Sequence, residues 1–159
     1  MTRLALASIL LFTALPPEPG PKDALAAKYK QFNLLIQKGD HAGAVAWIKN
    51  TCMPKFTYTS YQKNKYDRPG YLAGVQQQIQ STSKVLVSTM TLRTVEKKGD
   101  QWVAIVASDF KGIVTIDNRR MTLIDKGVVT DTWTKSGKEW KLVKSVQVNA
   151  DTQMQQEGD

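Results

Sequence analysis

The chain predicts an α+β domain, three helices packed on a strongly curved antiparallel sheet in the order α-α-β-α-β-β-β-β. Two observations carry that class. Apolar residues recur at helical spacing in the first half, and from Lys84 onward they recur at every second position. The second half is also divided by turn-forming segments, Lys98-Gly99-Asp100, Asp117-Asn118 and Lys135-Ser136-Gly137-Lys138, into strands too long to stay flat. A length of 159 residues with 42% hydrophobic and 23% charged side chains fits one globular domain. At this size a chain buries enough surface to fold without metal or disulfide staples.

The amino terminus stands apart. Arg3 precedes an uncharged apolar run from Leu4 to Leu15, followed by Pro16, Pro17, Glu18, Pro19, Gly20 and Pro21. A basic start, a short apolar stretch and an abrupt stop describe a secretory signal peptide over residues 1–16, shorter than the ~20 residues a membrane-spanning helix needs. No cysteine follows the run, which argues against a lipoprotein anchor. The expected location is secreted or periplasmic, with no transmembrane span once the signal is removed. Residues 17–22 read as a Pro-rich linker, and the folded domain as residues 23–150.

Within the domain, Leu25, Tyr29, Phe32 and Ile36 form one apolar stripe of a helix from Asp23 to Lys38. Gly39 ends it, and Asp40 is placed to cap a second helix over Ala42–Lys49. Pro54 breaks the chain before a β-rich stretch, Phe56–Tyr61. Asp67 caps a third helix with Pro69 in its first turn and Tyr71, Leu72, Val75 and Ile79 on its buried face. Four strands follow: Lys84–Lys97, Gln101–Ile116, Arg119–Thr134 and Glu139–Asn149. Gly112 and Gly127 are expected to lie opposite one another, or nearly so, and to bend the sheet. The polar end, Asp151–Asp159, reads as a disordered tail. A bent sheet covered only in part by short helices leaves a cone with an apolar cavity open at one end.

Composition excludes several function classes. One cysteine, Cys52, and one histidine, His41, leave no material for a zinc site or a disulfide framework. No cofactor or metal is expected. The chain is basic, with 22 Lys+Arg against 14 Asp+Glu and a net charge of +8. The cations are nevertheless spread along the sequence without an aromatic-interleaved basic motif, so no specific nucleic-acid partner is expected.

Three segments carry a family resemblance: Gly39-Asp40 between the helices, Phe56-Thr57-Tyr58 in the first strand, and Asp131-Thr132-Trp133 through Trp140-Lys141-Leu142-Val143 in the closing hairpin. Over roughly residues 23–150 the chain resembles the nuclear transport factor 2-like (NTF2-like) superfamily, in its SnoaL-like and DUF4440-type branch. That resemblance implies the cone fold and leaves function open among isomerases, hydrolases, cyclases and silent binding domains. Ketosteroid-isomerase chemistry uses a carboxylate base, a phenol and a protonated acid. The resemblance places the base at Ser60, the phenol at Phe32 and the acid at Asp131. Two of those three roles are lost.

Asp109 and Asp131 are the candidate catalytic residues. Asp109 either faces the cavity or pairs across the strand with Lys126; Asp131 is either an acid or a structural hydrogen-bond hub. Tyr29, Phe32, Trp47, Tyr58, Trp102, Phe110, Asp131 and Trp133 are the candidate ligand-binding residues. Tyr58 and Tyr61, at odd spacing, cannot both point inward. His41 is expected at the surface, and Cys52 as a nucleophile has no plausible base other than His41. The expected function is non-catalytic binding of a small apolar or amphipathic ligand, homodimeric assembly, or both. Assembly would use an outer sheet face bearing Val85 and Val87 or Leu86 and Met90. The alternative is a small isomerase- or hydrolase-type enzyme using Asp109 and Asp131.

Overall fold

A computed structural model describes residues 18–156; the expected signal peptide and the last three residues of the expected tail lie outside them. The element order is α1 (Pro21–Gln37), α2 (His41–Thr51), β1 (Cys52–Thr59), β2 (Lys65–Asp67), α3 (Arg68–Ser81), β3 (Thr82–Lys98), β4 (Gln101–Ile116), β5 (Arg119–Ser136) and β6 (Glu139–Gln156). Helix α1 begins inside the expected linker because Pro21 fits a first helical turn, where no N–H is needed. Asp40 and Asp67 cap α2 and α3, each accepting a hydrogen bond of 2.9 Å from the backbone N–H of Gly43 and Gly70. A Cβ at position 43 would come within 2.3 Å of the Asp40 carboxylate, so that cap requires glycine.

The six strands form one sheet in the order β2-β1-β6-β5-β4-β3. The meander β3–β6 is antiparallel as expected, but β1 pairs with β6 in parallel, making the sheet mixed. The outer edge of β6 would otherwise be an unpaired row of backbone donors and acceptors, and β1 fills it. Asp117 and Asn118 both have positive φ, 49° and 62°, and hold β4 and β5 in the unbulged register Ile116↔Arg119.

That register corrects one expectation. Gly112 pairs with Leu123 and Gly127 with Ser108, so the glycines do not face one another. Each instead meets a bulge on its other neighbour. The β3 register shifts between Val85 and Val87, opposite Gly112, and the β6 register shifts next to Gly127. A Cβ at either glycine would lie 3.0 Å from a backbone carbonyl oxygen, of Lys84 and Asn149 respectively. The sheet bends where strands approach that closely. The Leu86 bulge also breaks the alternation expected of β3. Leu86 and Val87 are exposed, while Val85 and Met90 turn inward.

The second correction is the tail. Asp151–Gln156 continues β6 and pairs residue for residue with Met121–Lys126 of β5. Without it that half of β5 would be an open edge, and ladder hydrogen bonds need no apolar side chains.

The core gathers where α1 and α2 press on the concave face near the β5–β6 turn. Leu25, Ala104, Val106 and Trp133 are fully buried there, with Phe56 and Ile48 beside them. Beyond that plug the helices leave the sheet uncovered.

Candidate functional site

Tyr29 is the second apolar position of α1's inward face, and Asp131 and Trp133 alternate inward from β5. These three side chains meet in the interior. The Tyr29 hydroxyl donates to Asp131 Oδ2 at 2.7 Å and accepts from Trp133 Nε1 at 2.9 Å. The Tyr29 and Trp133 rings meet edge to face, with centroids 5.7 Å apart. Asp131 is 3% exposed and Trp133 is fully buried.

Burial pushes the Asp131 carboxyl up to about 6, although Ser145, directly across the β5–β6 pair, and the Tyr29 hydroxyl hold it down. Tyr29 is pushed up in turn, by burial first and then by the charge of Asp131. One atom of the cluster is unmatched. Asp131 Oδ1 is buried with no hydrogen-bond partner.

This cluster forms part of the wall of a cavity of about 400 Å³ lined by Phe32 and Trp47 from α1 and α2, Tyr58 and Tyr66 from β1 and β2, and Tyr71 from α3. Ligand pockets commonly fall between about 300 and 1,000 Å³. Phe32 packs on Trp47 at 4.8 Å between centroids, and Tyr58 packs on Tyr71 at 4.9 Å. The Tyr58 hydroxyl donates to Gln147 Oε1 at 3.0 Å, while Tyr61 is 50% exposed. Tyr66 is 42% exposed and stands at the mouth.

Six of the expected ligand-binding residues, Tyr29, Phe32, Trp47, Tyr58, Asp131 and Trp133, line this cavity together. Two do not. Trp102 packs edge-on against Trp140 at 6.1 Å, beneath Lys97, at the plugged end. Phe110 lines a smaller adjoining hollow of about 180 Å³.

The two candidate carboxylates are separated. Asp109 contributes to the rim of the smaller hollow, but it pairs with Lys126 at 3.7 Å and its side chain is 42% exposed. It lies on the opposite strand face from Ala104 and Val106, whose face Asp131 shares through the Ala104↔Asp131 pair. Ser60, where the resemblance places a base, does line the cavity, and its hydroxyl accepts from the Asn64 backbone. The phenol beside Asp131 is Tyr29, about one helical turn before Phe32, where the resemblance places that group. Its proton points at Asp131 and not into the cavity. His41 is exposed. Cys52 is buried, and burial pushes its thiol up to about 12.

Sequence reasoning missed Asp125. It lines the same cavity, half-buried, and accepts a 2.6 Å hydrogen bond from Thr152 Oγ1. Its even spacing from Asp131 on one strand was the available signal, obscured because its partner Thr152 lies in the polar segment read as a tail. The two carboxylates stand six positions apart on the strand, ~20 Å of extended chain. They are not a catalytic pair. Among the described residues no group of three His, Cys, Asp or Glu is placed to hold a metal ion, and no helix is long and apolar enough to cross a membrane.

No family model and no curated protein sequence matches the chain. Solved structures do. An NTF2-like protein from Cytophaga hutchinsonii superposes with a TM-score of 0.63 at 13% identity, over 81% of this chain and 98% of that one. A conserved protein from Planctomyces limnophilus gives 0.65 at 12% identity, over 82% and 96%. An NTF2-like protein of unknown function in nutrient uptake from Rhodospirillum rubrum gives 0.57 at 16% identity, over 77% and 95%. The chain has the NTF2-like fold.

Proposed function

We propose that the chain is an exported binding protein whose cavity holds a small apolar or amphipathic molecule without transforming it. The observation that carries this reading is the aromatic cavity of about 400 Å³, closed at its inner end by a fully buried tryptophan and edged by a single deeply buried carboxylate. A proton-transfer enzyme built on Asp109 and Asp131 needs both groups on one substrate, and Asp109 stands on the other face of the sheet. The test is native mass spectrometry of the full chain, with melting followed by fluorescence, against a panel of small aromatic compounds of differing charge. One bound molecule per chain and a raised Tm for at least one compound are expected, because a ligand that binds only the folded state stabilises it. No adduct and no shift across the panel would remove the reading.

Self-association is a second reading, compatible with the first. On the sheet face turned away from the helices, Ile105, which is 37% exposed, pairs with Thr130, and Thr130 pairs with Val146. Val103, Ala107 and Val128 flank them. Sedimentation velocity across micromolar concentrations tests it: a dimer mass supports this face as an interface, and a strict monomer retires it.

A further inference from the structure

The cavity differs in charge from the chain that surrounds it. The chain carries +8 overall, yet no Lys, Arg or His lines the larger cavity, and its two ionisable acids are Asp125 and Asp131. Seven aromatic rings share the lining with them, among them Tyr29, Trp47, Tyr58, Tyr71 and Trp133. Aromatic faces carry negative potential, and a carboxylate among them adds a full charge in a site partly shielded from water.

The hydrogen bonding points the same way. Asp131 Oδ2 is occupied by Tyr29, while the buried Oδ1 has no partner of hydrogen-bond geometry, and the neutral Ser145 hydroxyl across the strand pair is the other polar group that eases the carboxyl. The phenol that could hold an anion donates its hydrogen bond to Asp131 instead. The titratable groups that feel the charge of Asp131 are Tyr29 on α1, Cys52 and Tyr58 on β1, and Tyr71 on α3, all pushed upward and so neutral at ordinary pH. None of them compensates the carboxylate. A buried carboxylate without a counter-charge is costly, and a ligand that brings a positive charge to the cavity wall beside it offsets that cost.

We infer that the cavity takes a small organic cation, an alkyl- or arylammonium, with its charged end beside the Asp131 carboxyl and its apolar body against the Phe32, Trp47, Tyr58 and Tyr71 rings. This deepens the binding reading and rests on it. Asp125, at the wetter end of the same strand face, adds attraction at the entrance.

The experiment compares three probes of related shape on the full chain by calorimetric titration at pH 7.5. They are 3-hydroxyphenyltrimethylammonium, its uncharged isostere 3-tert-butylphenol, and the anion 3-hydroxybenzoate. The cation is expected to bind at least about tenfold more tightly than the isostere, with the anion weakest. In Asp131→Asn the preference should vanish while the isostere binds as before; Asp125→Asn should lower it only slightly. Equal binding of cation and isostere would overturn the inference and leave the binding reading intact. Tightest binding of the anion would overturn it in favour of a site for oxyanions. A preference that survives Asp131→Asn would overturn the assignment to Asp131. Binding of none of the three, with no member of the wider panel bound, would remove both readings. If Asp131→Asn does not fold, the wild-type comparison of the three probes still decides the charge preference, and Asp125→Asn reports whether it originates at the entrance instead.

Discussion

The two ends of the concave sheet face are built from the same strands and behave differently. Toward the β5–β6 turn, Leu25, Ala104, Val106 and Trp133 are fully buried and Trp102 packs on Trp140. Toward the other end, the helices stand off and a cavity of about 400 Å³ remains between Tyr58, Tyr71 and Trp47. Curvature explains the contrast. Bulges opposite Gly112 and beside Gly127 bend the sheet beyond the plug, and three short helices cannot follow it. Asp131 sits at the boundary, where packing strips away water but a cavity wall begins. A carboxylate on one wall can therefore be both structural and available, whereas Asp109 on the outer face is neither buried nor enclosed.

Substitutions at the two ends should separate accordingly. Trp133→Ala removes the largest fully buried side chain and is expected to cost about 3–5 kcal/mol in chemical denaturation. Trp47→Ala, at the open end, should cost clearly less, and equal losses would erase the distinction between the ends.

Next in size is a pH effect. The Asp131 carboxyl titrates near 6 in the folded chain, against about 3.9 for an unfolded aspartate. The folded state therefore holds the proton more tightly. Stability is greatest below about pH 4 and falls as pH rises through 6. Relative to Asp131→Asn, the wild type should lose about 2 kcal/mol between pH 4 and pH 7. Urea titrations of both proteins at the two pH values measure this, and parallel stabilities would mean that Asp131 is hydrated.

Tyr29→Phe leaves Asp131 Oδ2 without its donor and Trp133 Nε1 without its acceptor. It should destabilise by about 1–3 kcal/mol and move the Asp131 titration further up, readable by carboxyl carbon NMR. A titration that stays in place would mean the phenol does not govern the acid. The smallest effect belongs to the outer face. Asp109→Ala should cost at most about 1 kcal/mol, because its pairing with Lys126 is solvent-exposed. A larger loss would assign Asp109 a role the geometry withholds.

Much of the architecture was legible in the sequence because it depends on local signals. The Asp117-Asn118 turn sets the β4–β5 register, Asp40 and Asp67 cap their helices, and the change of apolar spacing at Lys84 separates helices from meander. What escaped depends on backbone pairing across long sequence distances. The Asp151–Gln156 extension and the parallel docking of β1 on β6 satisfy strand edges without any apolar pattern of their own. The site divided the same way. Tyr29, Asp131 and Trp133 were recognisable as inward-facing residues, but their mutual hydrogen bonds join positions about a hundred residues apart. Asp125 stayed hidden because its partner strand did, and Trp102 was misplaced because parity gives the face of a strand and not the depth along it.

The difference between the ends is tested most directly by titrating isotope-labelled full chain with 3-hydroxyphenyltrimethylammonium and following the four tryptophan indole signals. The Trp47 and Trp133 signals are expected to move with one saturating curve while Trp102 and Trp140 stay fixed. Movement of Trp102 or Trp140 with Trp47 unmoved would contradict the separation of the two ends, because the ligand would then be bound at the closed end.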